Sequence, residues 1–136
     1  MTPKKIKTTQ VQKSEYSDFL NKAKQFYDVM VSCLQNEEWD AVVLQGVHAS
    51  ISATDALLCF KVQIKSISKN HQDVTRLLKE SMPSNADVKK NADRLSQILN
   101  FKHAAEYESK RFTEREAYDF VKFVERYFQW IEKELP

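Results

Sequence analysis

Three groups of side chains in this sequence have the types and spacing to do chemistry. The first is Gln45, His48, Ser52, Asp55 and Cys59, whose steps of 3, 4, 3 and 4 put them in one stripe along a helix. Polar groups in so apolar a neighbourhood need partners, because an unpaired buried one costs about 1–3 kcal/mol. Such a stripe forms a buried network, lines a groove or a subunit contact, or simply faces solvent. The second group is Asn70-His71-Gln72-Asp73. Asn70 and Asp73 suit a helix N-terminus, where carboxylates are favoured by the dipole. His71 between them is a packing or surface residue, or an imidazole that titrates near neutral pH and serves catalysis. The third group is Lys102-His103 with Tyr107 and Glu108, followed by Lys110 and Arg111. Lys102 and Glu106 are spaced as an ordinary surface pair. The plain reading of this stretch is a solvated charged face. The sharper reading is a basic patch with an adjacent aromatic, able to hold a phosphate and stack a base.

Other chemistries find no support. There is no HExxH, no carboxylate–histidine set at metal spacing, and no GxSxG. A single glycine excludes both GxGxxG and GxxxxGK[ST], so no glycine-rich phosphate loop exists. Glu37-Glu38 falls in a polar break rather than a buried acid–base pair. No metal and no cofactor is expected.

The elements that must position these groups are helical. Apolar residues recur at i, i+3/i+4 from Tyr16 to Leu34, which predicts a first helix over about 15–36. A second runs from about Trp39 to Lys65. It is apolar nearly all round between positions 41 and 60, the mark of a central helix with contacts on several sides. A short third helix spans about 70–81, ended by Pro83, which lacks an N–H and biases Met82 away from helix. A fourth covers about 86–109. Thr113 and Glu116 have capping-box spacing and open a fifth over about 114–135. The expectation is all-α: an antiparallel up-and-down bundle of four long helices plus one short helix, over 14–136.

The 136 residues suffice for one core, and 42% hydrophobic with 29% charged residues is globular composition. One Gly and three Pro are too few for a β-sandwich or barrel. The net charge of +2 announces no nucleic-acid binder. It is uneven, however: Lys4, Lys5, Lys7 and Lys13 put +4 into the first thirteen residues, leaving about −2 elsewhere. Residues 1–13 therefore read as a basic flexible arm. Cys33 and Cys59 read as reduced buried thiols of a cytoplasmic protein. No apolar run reaches 18 residues, so no membrane association is expected.

The run from Gln45 to Leu58, Gln-Gly-Val-His-Ala-Ser-Ile-Ser-Ala-Thr-Asp-Ala-Leu-Leu, resembles the "QA-hxSIxAADAL" helix of HEPN domains (higher eukaryotes and prokaryotes nucleotide-binding). His71 with Val74 and Leu77-Leu78 resembles the family's following short helix. Leu99, Lys102 and Tyr107 resemble the end of its penultimate helix, and Thr113, Glu116-Ala117, Phe128 and Leu135 its closing one. The resemblance covers about residues 15–135. It implies a bundle of four or five helices, commonly dimeric. It also implies a role as a metal-independent ribonuclease or toxin, as a noncatalytic RNA-binding or scaffold module, or as the partner of a nucleotidyltransferase in a toxin–antitoxin pair.

Ribonuclease members carry an Arg followed, after four to six residues, by His. Here the nearest approximation is Arg94 and His103, nine positions apart. Nine steps of about 100° leave them on opposite faces of a helix. The resemblance then implies a nonenzymatic dimeric module that binds RNA, a nucleotide or a protein partner. Its binding candidates are Gln45, His48, Ser52, Asp55, Lys102, Lys110 and Arg111. The alternative is a divergent ribonuclease, with His71 or His103 as general base, Lys102 as transition-state charge partner, and Tyr107 stacking or donating a proton. A further alternative is an adaptor with no nucleic-acid role.

Overall fold

A computed structural model describes residues 5–109 and 111–136. Strand β1 (Thr8–Gln10) and a single 3-10 turn (Lys13–Glu15) lead into helix α1 (Tyr16–Gln35). Helix α2 (Trp39–Val62), strand β2 (Ile64–Ser66), and helices α3 (Gln72–Ser81), α4 (Ala86–Tyr107) and α5 (Glu114–Glu134) follow. The class is all-α, as its periodicity predicts, and the second helix is the central one: α2 packs against α1, α3, α4 and α5.

The packing of α2 follows from its composition. Thirteen of its residues, from Val42 to Cys59, are buried. Two are hydroxyl side chains that return bonds to their own helix: Ser50 donates to the Gly46 carbonyl and Thr54 to the Ser50 carbonyl, both at 2.8 Å. Thr54 also meets the hydroxyl of fully buried Tyr127 at 2.5 Å. Helices α2 and α5 run parallel and in register. The Asp40 carboxylate accepts from the Phe112 N–H at 2.8 Å, Gly46 faces Phe120, Thr54 meets Tyr127, and Lys61 pairs with Glu134 at 3.5 Å. Helix α1 runs the other way along α2, with Phe26 stacked near His48 and Tyr16 edge-on to Phe60. Helix α4 opposes α5: Asn85 donates to Glu134 at one end and Phe101 lies edge-on to Phe120 toward the other.

The helix ends match their sequence signals unevenly. Thr113 accepts from the Glu116 N–H while Glu116 accepts from the Thr113 N–H, each at 3.1 Å, closing the capping box. Asn85 caps α4 by accepting from the Asp87 N–H. The stop of α2 differs from expectation. The helix ends at Val62, because Gln63 takes a left-handed conformation (φ 54°) and redirects the chain into β2. The Gln63 side chain donates to the Phe60 carbonyl at 3.0 Å, which offsets part of the cost of a non-glycine residue there.

That redirection also corrects the reading of a flexible arm over residues 5–13, the part of 1–13 that lies within the described residues. Thr8, Thr9 and Gln10 pair antiparallel with Ser66, Lys65 and Ile64. The Val11 N–H donates to the Gln63 carbonyl and the Ile67 N–H to the Lys7 carbonyl. Ile6 is buried in the core, and the Lys13 ammonium lies 4.5 Å from the centre of the Phe60 ring. Backbone pairing and one buried isoleucine thus hold a segment whose charge pattern suggested a tail. Lys4 lies outside the described residues. By length and composition α2 is apolar enough to cross a membrane, yet 72% of its most apolar window is buried against the other helices.

Gly46 sits where α1, α2 and α5 meet. A Cβ there would press into the Phe120 ring and lie 2.9 Å from the Met30 sulfur. Helix propensity favours alanine by about 1 kcal/mol, but both neighbours are fully buried and have nowhere to retreat. Overpacking therefore wins. Gly46→Ala is expected to destabilise the chain by about 1–3 kcal/mol, read as a lower urea midpoint. An unchanged or higher midpoint would show that Phe120 repacks freely.

Candidate functional site

The second and third candidate groups come together at one place. An open cleft of about 350 Å³ between the start of α3 and the C-terminal half of α4 is lined by Lys69, His71, Asn100, Lys102, His103 and Tyr107, among others. That volume lies at the lower end of the range of ligand clefts, about 300–1,000 Å³. Gln72 sets its width. Its amide donates to Asn100 Oδ1 at 2.9 Å and to the Ser96 carbonyl at 3.3 Å. Its oxygen accepts from the Ser96 and Thr75 hydroxyls at 3.0 and 3.1 Å. These bonds lock the first turn of α3 onto α4 and so fix His71 opposite Lys102. The start of α3 is built as the sequence implies. Asn70 Oδ1 accepts from the Gln72 N–H at 3.0 Å, and Asp73 accepts from the Ser68 hydroxyl at 2.6 Å.

The cleft is electrostatically mixed. Burial, the Lys102 charge and the His48 ring hold the His71 pKa below its ordinary 6.5, with Glu106 opposing them. His71 is therefore neutral at pH 7. His48, on α2, influences His71 through its charge but does not line the cleft; its ring lies 5.7 Å from that of Phe26 on α1. Lys102 is paired with Glu106 at 3.0 Å. His103 Nε2 lies 3.9 Å from a Glu108 oxygen, and its ring is 5.4 Å from that of Tyr107, which is 73% exposed. A half-buried cation, two imidazoles and an exposed aromatic ring on one open surface can hold a phosphate and stack a base.

The rest of the stripe divides. The Cys59 thiol donates to the Gln12 carbonyl at 3.1 Å and holds the N-terminal segment. Asp55 is 8% exposed, facing Lys22 from α1 and Lys65 from β2. Gln45 and Ser52 are half-buried. Arg111 lies apart from the cleft, near Asp40 at 3.8 Å, where it lines a separate hollow with Trp39 and Phe112. Lys110 lies outside the described residues. Arg94 donates to Asn91 at 3.0 Å and does not line the cleft with His103. Among the described residues, no three His, Cys, Asp or Glu side chains converge as metal ligands would.

Sequence spacing does not single out Lys69 or Asn100. Both join the site only through the docking of α3 on α4, which no local pattern encodes. Glu106 was visible as the i+4 partner of Lys102, and its place beside the cleft follows from Lys102 facing inward.

The family model described as HEPN domain matches residues 16–135. No curated protein matches the chain.

Burial raises the Asp55 pKa from its ordinary 3.8 to about 6, against the pull of Lys65 and Lys22. Between those values the folded chain holds a proton that the unfolded chain releases. Asp55 therefore costs no stability below pH 3.8 and progressively more as pH rises to about 6. The whole span is worth at most about 3 kcal/mol. Asp55→Asn removes this term. The stability of the variant relative to the native chain, from urea denaturation at about pH 4 and about pH 7, is expected to be higher at the upper pH. A difference independent of pH would contradict a raised Asp55.

Proposed function

The chain belongs to the HEPN domain family, and on that premise we propose that it is a nonenzymatic module that binds RNA or a nucleotide in the cleft between α3 and α4. The observation that carries the proposal is the convergence of His71, Lys102, His103 and exposed Tyr107 on that one surface. Phosphate contact supplies affinity and a stacked base supplies position. The weak net charge argues for a local contact with few phosphates rather than a long electrostatic track. The setting that goes with this reading is the cytoplasm, where the free thiols of Cys33 and Cys59 stay reduced.

We extend the proposal to a homodimer and to a protein partner such as a nucleotidyltransferase, which the family resemblance implies. Light scattering that returns the 15.9 kDa of a single chain would remove the dimer. A second reading, metal-independent RNA cleavage, is favoured by one observation: His71 is held neutral beside Lys102, the state a general base requires.

A labelled mixed-sequence RNA incubated with the protein and EDTA separates these readings on native and denaturing gels. The expected result is a salt-sensitive shift with no shortening. Lys102→Ala is expected to weaken the shift and to lower the salt slope by about 0.7, the share of one single-strand phosphate contact. Shortened RNA that becomes intact with His71→Ala would replace binding by cleavage. Intact, unshifted RNA would overturn both and leave the adaptor reading.

A further inference from the structure

Helix stability would not select the Lys102–Glu106 pair. Glu106 lies in the last turn of α4, where the unsatisfied carbonyls carry partial negative charge and no basic residue offsets them. A carboxylate there works against the helix dipole. The order is also the weaker one, because Glu preceding Lys by four is better than Lys preceding Glu. The pair is nevertheless close, with Lys102 half-buried and Glu106 at the surface. Its nitrogen–oxygen distance is 3.0 Å, and its side chains are 17% and 24% exposed. The other pair at this spacing, Arg76 and Glu80, sits at 3.4 Å with exposures of 35% and 57%.

The surroundings explain the difference. The Lys102 hydrogen bond first, and after it the Lys102 charge, the Tyr107 hydroxyl and the His48 ring, favour the ionised Glu106 carboxyl, while burial opposes them. Lys102 and Tyr107 line the cleft. Two of the groups that would greet a phosphate therefore already hold a carboxylate.

We propose that Glu106 is an internal anion that occupies the phosphate position of the cleft, so that RNA must displace it to reach Lys102. The inference rests on the binding reading above and adds a regulating residue to it. Displacement needs only a rotation of the Glu106 side chain toward solvent. The competitor sets a threshold. A lone carboxylate or small monoanion gains nothing by replacing Glu106, whereas a nucleic-acid strand adds a stacked base on Tyr107 and contacts to Lys69. The device thus favours RNA over simple anions.

The test is fluorescence anisotropy of a labelled single-stranded RNA 12-mer against the native chain, Glu106→Gln, Lys102→Ala and the double variant. Glutamine keeps the shape and reach of Glu106 and loses only its charge. Glu106→Gln is expected to bind up to about fivefold more tightly at low salt, the strength of a partly exposed ion pair. The gain is expected to shrink as salt rises and to vanish in the double variant. Thermal melting of Glu106→Gln, expected to be unchanged or slightly higher, controls for folding. Weaker binding by Lys102→Ala with no gain in Glu106→Gln overturns the internal anion and leaves the cleft as the site. A gain that survives without Lys102 also overturns it, because the released cation would not be its source. RNA that binds none of the proteins, or binds all four equally, overturns both the internal anion and the binding reading.

Discussion

The constraint on which the rest of the molecule depends is that α2 has no polar face to give to water over most of its length. A helix apolar on every side has to be surrounded, and four other helices do that here. Its buried hydroxyls are satisfied within its own backbone and by Tyr127, so the surrounding helices owe it few polar contacts. What they owe it is shape. The absence of a side chain at Gly46 admits the Phe120 ring and the Met30 sulfur at one level, and this fixes α1 and α5 relative to the axis. That close approach is one of four contacts that mark the parallel register of α2 and α5, from Asp40 at one end to Lys61 at the other.

The cleft is a secondary product of the same arrangement. Helix α3 has ten residues, too few to be stable on its own in water. It is helical because Val74, Leu77 and Leu78 bury against the core and because Gln72 ties its first turn to α4. The imidazole of His71 is thus placed by tertiary contacts, on an element with little stability of its own. Helix α4, capped by Asn85 at its start, carries the facing cation near its other end. The cleft takes its width from the Gln72 bonds that join the two helices.

Much of this is legible in the sequence. The i, i+3/i+4 stripes of α1 and α5, the apolar girth of α2 and the Thr113–Glu116 spacing are local signals, and they place these helices within a few residues of the observed bounds. Lys102, His103 and Tyr107 lie within two turns of one helix, so their grouping was also legible. Two things were not. The ribbon pairs Thr8-Thr9-Gln10, which show no apolar alternation, with residues hidden at the end of an apolar helical run. Its turning point is a left-handed Gln63 where a reader expects glycine. Nor does spacing say that His71 and Lys102 line one cleft, since that depends on where α3 docks. The single stripe from Gln45 to Cys59 came apart for the same reason. Its members share one face of α2, but that face passes beneath three different neighbours.

The ribbon has a consequence for the order of assembly. It joins position 8 to position 66, so everything between them, the whole α1–α2 hairpin, is a loop that the two strands close. Closing so long a loop from an open chain is entropically slow, and three residue pairs return little for it. If the hairpin zips first through its short Asn36–Glu38 connection, the strand ends are already neighbours and the closure costs almost nothing. On that route the ribbon closes after the α1–α2 hairpin and does not nucleate it. A nascent chain becomes able to lock its N-terminal segment as soon as Ser66 has been released, before α3, α4 and α5 exist.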